Sequence, residues 1–188
     1  MKRNLITAVL MTIVTTILLG IIYPLTVTAL AQLLFHDKAN GQLIQGAGGP
    51  IGSRIIGQAF VSDRYFHSRP SAAGNGYDAA NSGATNFGPT NQKLIDRVKG
   101  DTAILKGENP NQPVPADLVT TSASGLDPDI TPAAAFFQIQ RIARVRGLSE
   151  DRVRALVVSH IQQRQLGFLG EPRINVLDLN LAIDQLNQ

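Results

Sequence analysis

Three histidines, His36, His67 and His160, are the first candidates for chemistry in a chain of 188 residues that contains no Cys and no Trp. No two of them stand at metal-ligand spacing, and there is no HExxH. Without Cys, thiolate ligands and disulfides are excluded. His67, beside Arg69 in a polar stretch, has the best functional claim of the three. His160 falls on the apolar side of a helical pattern and reads as a satisfied core residue. His36 follows a long apolar run and reads as an interfacial anchor. Ser71, His67 and Asp78 together carry the groups of a nucleophile, base and orienter. No GxSxG elbow surrounds Ser71, so an independent exported hydrolase stays a remote reading. The segment 82–91 (SGATNFGPTN) is Gly-rich and runs into a helix start, a geometry that can offer backbone N–H groups to an anion. It lacks the GKS/T end of a P-loop and the GxGxxG of a dinucleotide site, and a tight turn packed on a neighbour accounts for it better. Asp127 and Asp129 could draw a cation, although Asp-Pro turn chemistry explains Asp127 equally well. The cluster Arg141, Arg144, Arg146, Arg152 and Arg154 reads as a solvated helical face, or else as a surface for an acidic partner. From these residues neither a catalytic constellation nor a metal site is expected.

The elements that must position such groups divide sharply. Residues 4–35 carry no charge and are dense in Leu, Ile and Val. Roughly 20 apolar residues suffice to cross a bilayer as a helix. Thr7, Thr12, Thr15 and Thr16 can bond back to carbonyls one turn earlier, and Pro24 should kink the helix or end its regular part. A cleaved export signal is the rival, with Lys2 and Arg3 as its basic start and Ala29-Leu30-Ala31 as its cut site. The apolar region is too long for that, and Leu33 to Phe35 continue it beyond the cut. Both readings leave the start in the cytoplasm and the bulk outside, by the bias of basic residues. The expected organisation is a cytoplasmic N-terminus at 1–4, a transmembrane anchor at 5–35 and an extracytoplasmic domain at 36–188. Without Lys2 and Arg3 the remainder has 15 basic against 14 acidic residues, which gives no case for nucleic acid.

Within the domain, 36–91 reads as a loop and short-strand part, and 92–188 as a helical part. Residues 54–60 (RIIGQAF) could hold a strand interrupted at Gly57. The stretch 65–91 is long and irregular, with Tyr65, Phe66, Tyr77 and Phe87 as anchors to pin it onto a core. Thr90 can cap a helix carrying Leu94, Ile95 and Val98. Thr131-Pro132 is a strong start for a helix with Phe136, Ile139 and Ala143 on one face and Gly147 as its stop. Ser149 caps the next, with Val153, Leu156, Val157, His160 and Ile161 inward and Gly167 as its exit. Asn175 starts the last, with Val176, Leu179, Ile183 and Leu186 sharing a face. The fold class is α+β, a mostly helical extracytoplasmic domain on a single N-terminal transmembrane helix.

Four blocks carry a resemblance: YFHSRPSAAG at 65–74, GYDAANSGATNFGPTN at 76–91, SASGLDPDITPAAAFFQIQRIARVRGL at 122–148 and LGFLGEPRINVLDLNLAIDQL at 166–186. With the anchor they cover nearly the whole chain, which resembles the C subunit of the Kdp-type potassium-transporting P-type ATPase of the bacterial inner membrane. The resemblance implies a complex with a channel-like A subunit, an ATPase B subunit and a small F peptide. The chain has one expected span and lacks the DKTGT phosphorylation sequence, so it fits neither the motor nor the pore. It implies an accessory subunit, not an enzyme by itself, which stabilises assembly and covers the outer ion entrance. Tyr65, Phe66, His67, Arg69 and Tyr77 are then the candidate partner contacts. The alternative attached to the family is a catalytic chaperone that binds ATP through a Ser-Gly stretch, here Ser82 and Gly83. This sequence departs from that pattern, with no Gln before Ser82 and with Ala84 where a second Gly is expected. No cofactor is otherwise implied.

Overall fold

In a computed structural model residues 1–186 are described. Helix α1, Lys2–Leu34, is the one helix among them long and apolar enough to cross a membrane. At 1.5 Å per residue it measures about 50 Å, against about 30 Å of hydrocarbon. Its apolar side chains, such as Leu10, Leu19 and Leu30, are exposed. Thr7, Thr12 and Thr15 bond back to the carbonyls of Arg3, Ala8 and Met11 at 3.0, 2.9 and 2.8 Å. Pro24 does not end the helix. Instead Thr16–Ile22 adopts wider π turns, and α geometry resumes at Tyr23. A proline ring crowds the carbonyl four residues earlier, here that of Gly20, and a widened turn relieves that crowding. Phe35, at φ −139° and ψ 45°, breaks the helix, and a single turn, His36–Ala39, follows.

By packing, the chain forms two units, Met1–Ile44 and Gln45–Gln188. The strands come earlier than the sequence suggests. Leu43–Gly46 (β1) and Gly49–Ser53 (β2) form a two-stranded sheet, whereas 54–60 holds turns and extended chain. The reason lies at Gly57, whose N–H donates to the Leu126 carbonyl at 2.8 Å. A Cβ there would stand 2.5 Å from the Asp127 carbonyl oxygen. The segment is pressed against 126–127 and not laid beside a strand.

Three helices build the core: α3 (Pro132–Arg146), α4 (Glu150–Ser159) and α5 (Val176–Gln185). The preceding helix α2, Gln92–Glu108, lies at the edge, and of it Leu105 packs on the core. Each has a side-chain cap. Thr131, Ser149 and Asn175 accept from the N–H groups of Ala134, Arg152 and Asp178, as their types lead one to expect. In α2 the cap is Asn91 and not Thr90; its carboxamide oxygen accepts from Lys93 N–H. Gly147 closes α3 in the left-handed region at φ 67°, where only Gly is free of Cβ strain. Short antiparallel strands β3 (Asp129–Ile130) and β4 (Ile174–Asn175) pair Asp129 with Asn175 and Ile130 with Ile174. That pairing brings the starts of α3 and α5 side by side.

Ile139, Ile142, Val153, Val157, Ile174, Leu179 and Ile183 meet in the centre. Phe136 packs against this core from a half-buried position under the Arg154 guanidinium, 5.6 Å from its ring centre, and Phe137 is buried more deeply. One expectation fails here. Helix α4 stops at Ser159, well short of Gly167. The Ser159 hydroxyl and the His160 ring both turn back to the Leu156 carbonyl, at 2.8 and 2.9 Å, and help end it. His160 is half-buried at that helix end.

Candidate functional site: a loop clasped by buried amides and arginines

Residues 62–83 run in irregular conformation over α3 and α5, and the contacts that hold them are polar. Asn180, buried on α5, grips Phe66 at both backbone groups: Phe66 N–H donates to its Oδ1 at 2.8 Å, and its Nδ2 donates to the Phe66 carbonyl at 3.0 Å. One residue on, Gln138 of α3 repeats the motif. His67 N–H donates to its Oε1 at 2.7 Å, and its Nε2 donates to the His67 carbonyl at 3.1 Å. An amide side chain thus does for each residue what a neighbouring strand would do, satisfying a donor and an acceptor that burial would otherwise leave unpaired.

Arginines complete the clasp. Arg141, only 4% exposed, donates to the carbonyl of Tyr65 at 3.0 Å and of Asp63 at 2.5 Å, and to Gln138 Oε1 at 2.7 Å. Its Nε lies 3.3 Å from Glu108 of α2. Arg146, with a side chain 1% exposed, donates to the Arg64 carbonyl and to Asp184, and its guanidinium stands over the Tyr65 ring at 5.0 Å. Tyr65 in turn donates to Asp184 at 3.0 Å. The Arg cluster therefore divides: Arg144, Arg152 and Arg154 are exposed, as a solvated face would have them, whereas Arg141 and Arg146 are not. Arg141 and Arg146 point inward because the loop backbone offers carbonyls that nothing else satisfies.

The second half of the loop ties itself to 120–127. Arg69 pairs with Asp127 at 2.8 Å and donates to the carbonyls of Thr120 and Thr121. The Tyr77 hydroxyl donates to the Arg69 carbonyl. Ser71 Oγ donates to the Gly125 carbonyl at 2.6 Å and accepts from Tyr77 N–H at 2.8 Å. Gly125, at φ 68°, lets the strands of chain touch, since a Cβ would lie 2.6 Å from Ala73 N. The Ser82 hydroxyl and the Gly83 N–H both donate to the Ser124 carbonyl, at 2.9 Å each.

Each residue singled out by sequence now has a place. Phe66 is fully buried and serves the core, not an exterior contact. Tyr65, His67, Arg69 and Tyr77 are half-buried and bonded within the domain. Phe87, expected as an anchor, is 38% exposed. The paper triad is not assembled: the hydroxyl of Ser71 points to Gly125, the His67 Nε2 faces the Ser62 carbonyl at 3.2 Å, and Asp78 caps the turn Ala79–Asn81. Hydrogen bonds from Asn81 and Ala80 hold the Asp78 carboxyl below the usual carboxylate range. Burial, reinforced by the Arg141 charge, lowers the His67 pKa. Asp127 and Asp129 face Arg69 and Arg173, the latter pair at 2.9 Å. Burial pushes the Asp129 carboxyl up, against the pull of Arg173. Beside His67, Ser68 and Pro70 a cleft of about 280 Å³ opens toward Ile104, Leu105 and Glu108 of α2.

Asn180, Gln138, Arg141 and Arg146 were not singled out as loop anchors from sequence. Their signal was present: in FFQIQRIA, Gln138 and Arg141 sit three apart on one helical face beside Phe137 and Ile142, and a polar residue on a buried face needs a partner.

Comparison with known proteins bears on what such a scaffold serves. The family model described as K+-transporting ATPase, c chain, matches residues 5–185. The chain belongs to the KdpC family. A KdpC relative from Koribacter versatilis, named potassium-transporting ATPase KdpC subunit, is 65% identical over 98% of this chain and 95% of its own length. Proteins of the same name from Rhodopseudomonas palustris (53% identical, 98% of each chain) and Caulobacter vibrioides (56%, 90% of this chain and 86% of its own) match likewise. The KdpC match thus spans both the apolar helix and the clasped loop.

Proposed function

We propose that this chain is a non-catalytic accessory subunit of an ATP-driven, high-affinity potassium uptake complex. Helix α1 anchors it in the bacterial inner membrane with Lys2 and Arg3 in the cytoplasm, and the remainder lies outside. There it stabilises the assembly of the channel-like A subunit, the ATPase B subunit and the small F peptide, and covers the outer ion entrance. The observation that carries this reading is the fate of the chemistry-bearing groups in 62–83. Arg69, Ser71, Tyr77, Ser82 and Gly83 direct their donors to carbonyls and carboxylates of the domain itself. Groups so committed serve the scaffold and are taken up before any substrate could use them, which supports a non-catalytic role. The Ser124 contacts of Ser82 and Gly83 weigh against ATP binding there, because a phosphate would have to displace both.

Co-expression with the partner subunits tests the reading. The chain should co-purify with them, and omitting it should abolish an assembled, K⁺-stimulated ATPase; full assembly and activity without it would refute the accessory role. For topology, a single Cys at the exposed Asn75 of this Cys-free chain should react with a membrane-impermeant thiol reagent in intact cells. Reaction only after lysis would place the domain inside and reopen the ATP reading.

A further inference from the structure

Between α4 and β4 the chain makes a small turn held by backbone hydrogen bonds of its own, with an exposed apolar tip. Gln162 and Arg173 exchange backbone hydrogen bonds at 2.8 and 3.0 Å, and Gln165 and Leu169 exchange two more at 2.9 Å. Arg164 is paired with Glu171 across the turn, and Arg173 with Asp129. The tip, LGFLG at 166–170, presents Leu166 at 83%, Phe168 at 68% and Leu169 at 48% exposure. Three large exposed apolar side chains thus lie within four residues of one another on a single turn, and exposed apolar groups so concentrated mark interaction sites. Leu166 adds an independent sign. Its backbone sits at φ 52°, in the left-handed region. Gly or Asn would suit that backbone better than Leu, so the side chain answers no local need.

The charges around the tip choose between a bilayer and a protein. Adsorption to anionic lipid calls for several uncompensated Lys or Arg. Here both rim arginines are already in ion pairs, the other rim groups are the neutral Gln162, Gln163 and Gln165, and the sequence after Lys106 has no Lys. An apolar centre within a neutral, hydrogen-bonding rim is the anatomy of a protein contact. Resting on the accessory-subunit reading above, we infer that the 166–169 knob seats in an uncharged apolar recess on the extracytoplasmic side of a partner subunit of the complex. On this account the knob, and not the clasped loop, is the domain's principal docking element.

The test uses the full chain in its assembled complex. A photoreactive benzoyl-phenylalanine in place of Phe168 should cross-link to a partner subunit in membranes. The double variant L166N/F168S should leave the thermal unfolding of the purified full chain unchanged or slightly raised, since Asn suits the left-handed backbone. Its retention on the partner subunits should fall at least roughly ten-fold. Cross-links to lipid alone, or none, together with normal retention of the double variant, would overturn the inference while the wild-type chain still co-purifies. If the wild-type chain itself fails to co-purify, the accessory reading falls and this inference falls with it.

Discussion

The clasped loop at 62–83 and the knob at 162–173 make opposite use of their residues. In the loop, residues that look reactive in sequence are consumed inside the domain: Arg69 by Asp127, Ser71 by Gly125, and the His67 backbone by Gln138. In the knob, residues that look inert project from a turn held by backbone hydrogen bonds rather than by their side chains. The difference teaches that side-chain type alone does not mark an interaction surface. What matters is whether the groups still have an unmet need once the fold is complete. The needs of Arg69, Ser71 and the His67 backbone are met within the domain, while apolar area at the knob remains in contact with water.

Breaking the clasp should give the largest effect. Arg141→Met orphans the carbonyls of Asp63 and Tyr65 and removes one of the two donors to Gln138 Oε1, and should destabilise the full chain by about 3 kcal/mol or more in urea unfolding. Asn180→Leu leaves both backbone groups of Phe66 unpaired and should cost about 2 kcal/mol by the same measurement. A smaller effect separates His67 from a mere spacer. Its folded pKa lies below the ordinary value of 6.5, so below that pH the unfolded chain binds more protons than the native one. Stability should therefore fall as pH drops from 6.5 toward the folded pKa, and His67→Gln should flatten that slope in a series of melting curves. The smallest effect is expected at the edge of the loop. Ser82→Ala removes one exposed hydrogen bond to Ser124 and should change stability by less than about 1 kcal/mol. A large loss there would erase the contrast between a clasp that holds through buried groups and a rim that does not.

Much of the helical part was legible because its signals are local. Thr131-Pro132, Ser149 and Asn175 cap where their types and the following periodicity place them, and Gly147 stops α3 where a left-handed residue is required. The misses share a cause. The strand expected at 54–60 gave way to a tertiary contact, Gly57 against 126–127. Two of the five arginines expected on a solvated face, Arg141 and Arg146, turned inward because carbonyls more than 70 residues away in sequence needed donors. The early stop of α4 depends on Ser159 and His160 bonding back and on β-type contacts between Gln162 and Arg173. Neither spacing nor composition encodes such long-range demands.

By itself the sequence determined the apolar helix, the caps and faces of α3 to α5 and, through its motifs, the family. These depend on hydrophobic periodicity and on groups within a few residues of one another. Only the tertiary structure decided which polar residues would be used up in holding the loop and which apolar ones would stay exposed. A side chain's solvation and its hydrogen-bond partners are fixed by what the rest of the chain brings against it. For Asn180, Arg141 and Leu166 that is information no window of neighbouring residues contains.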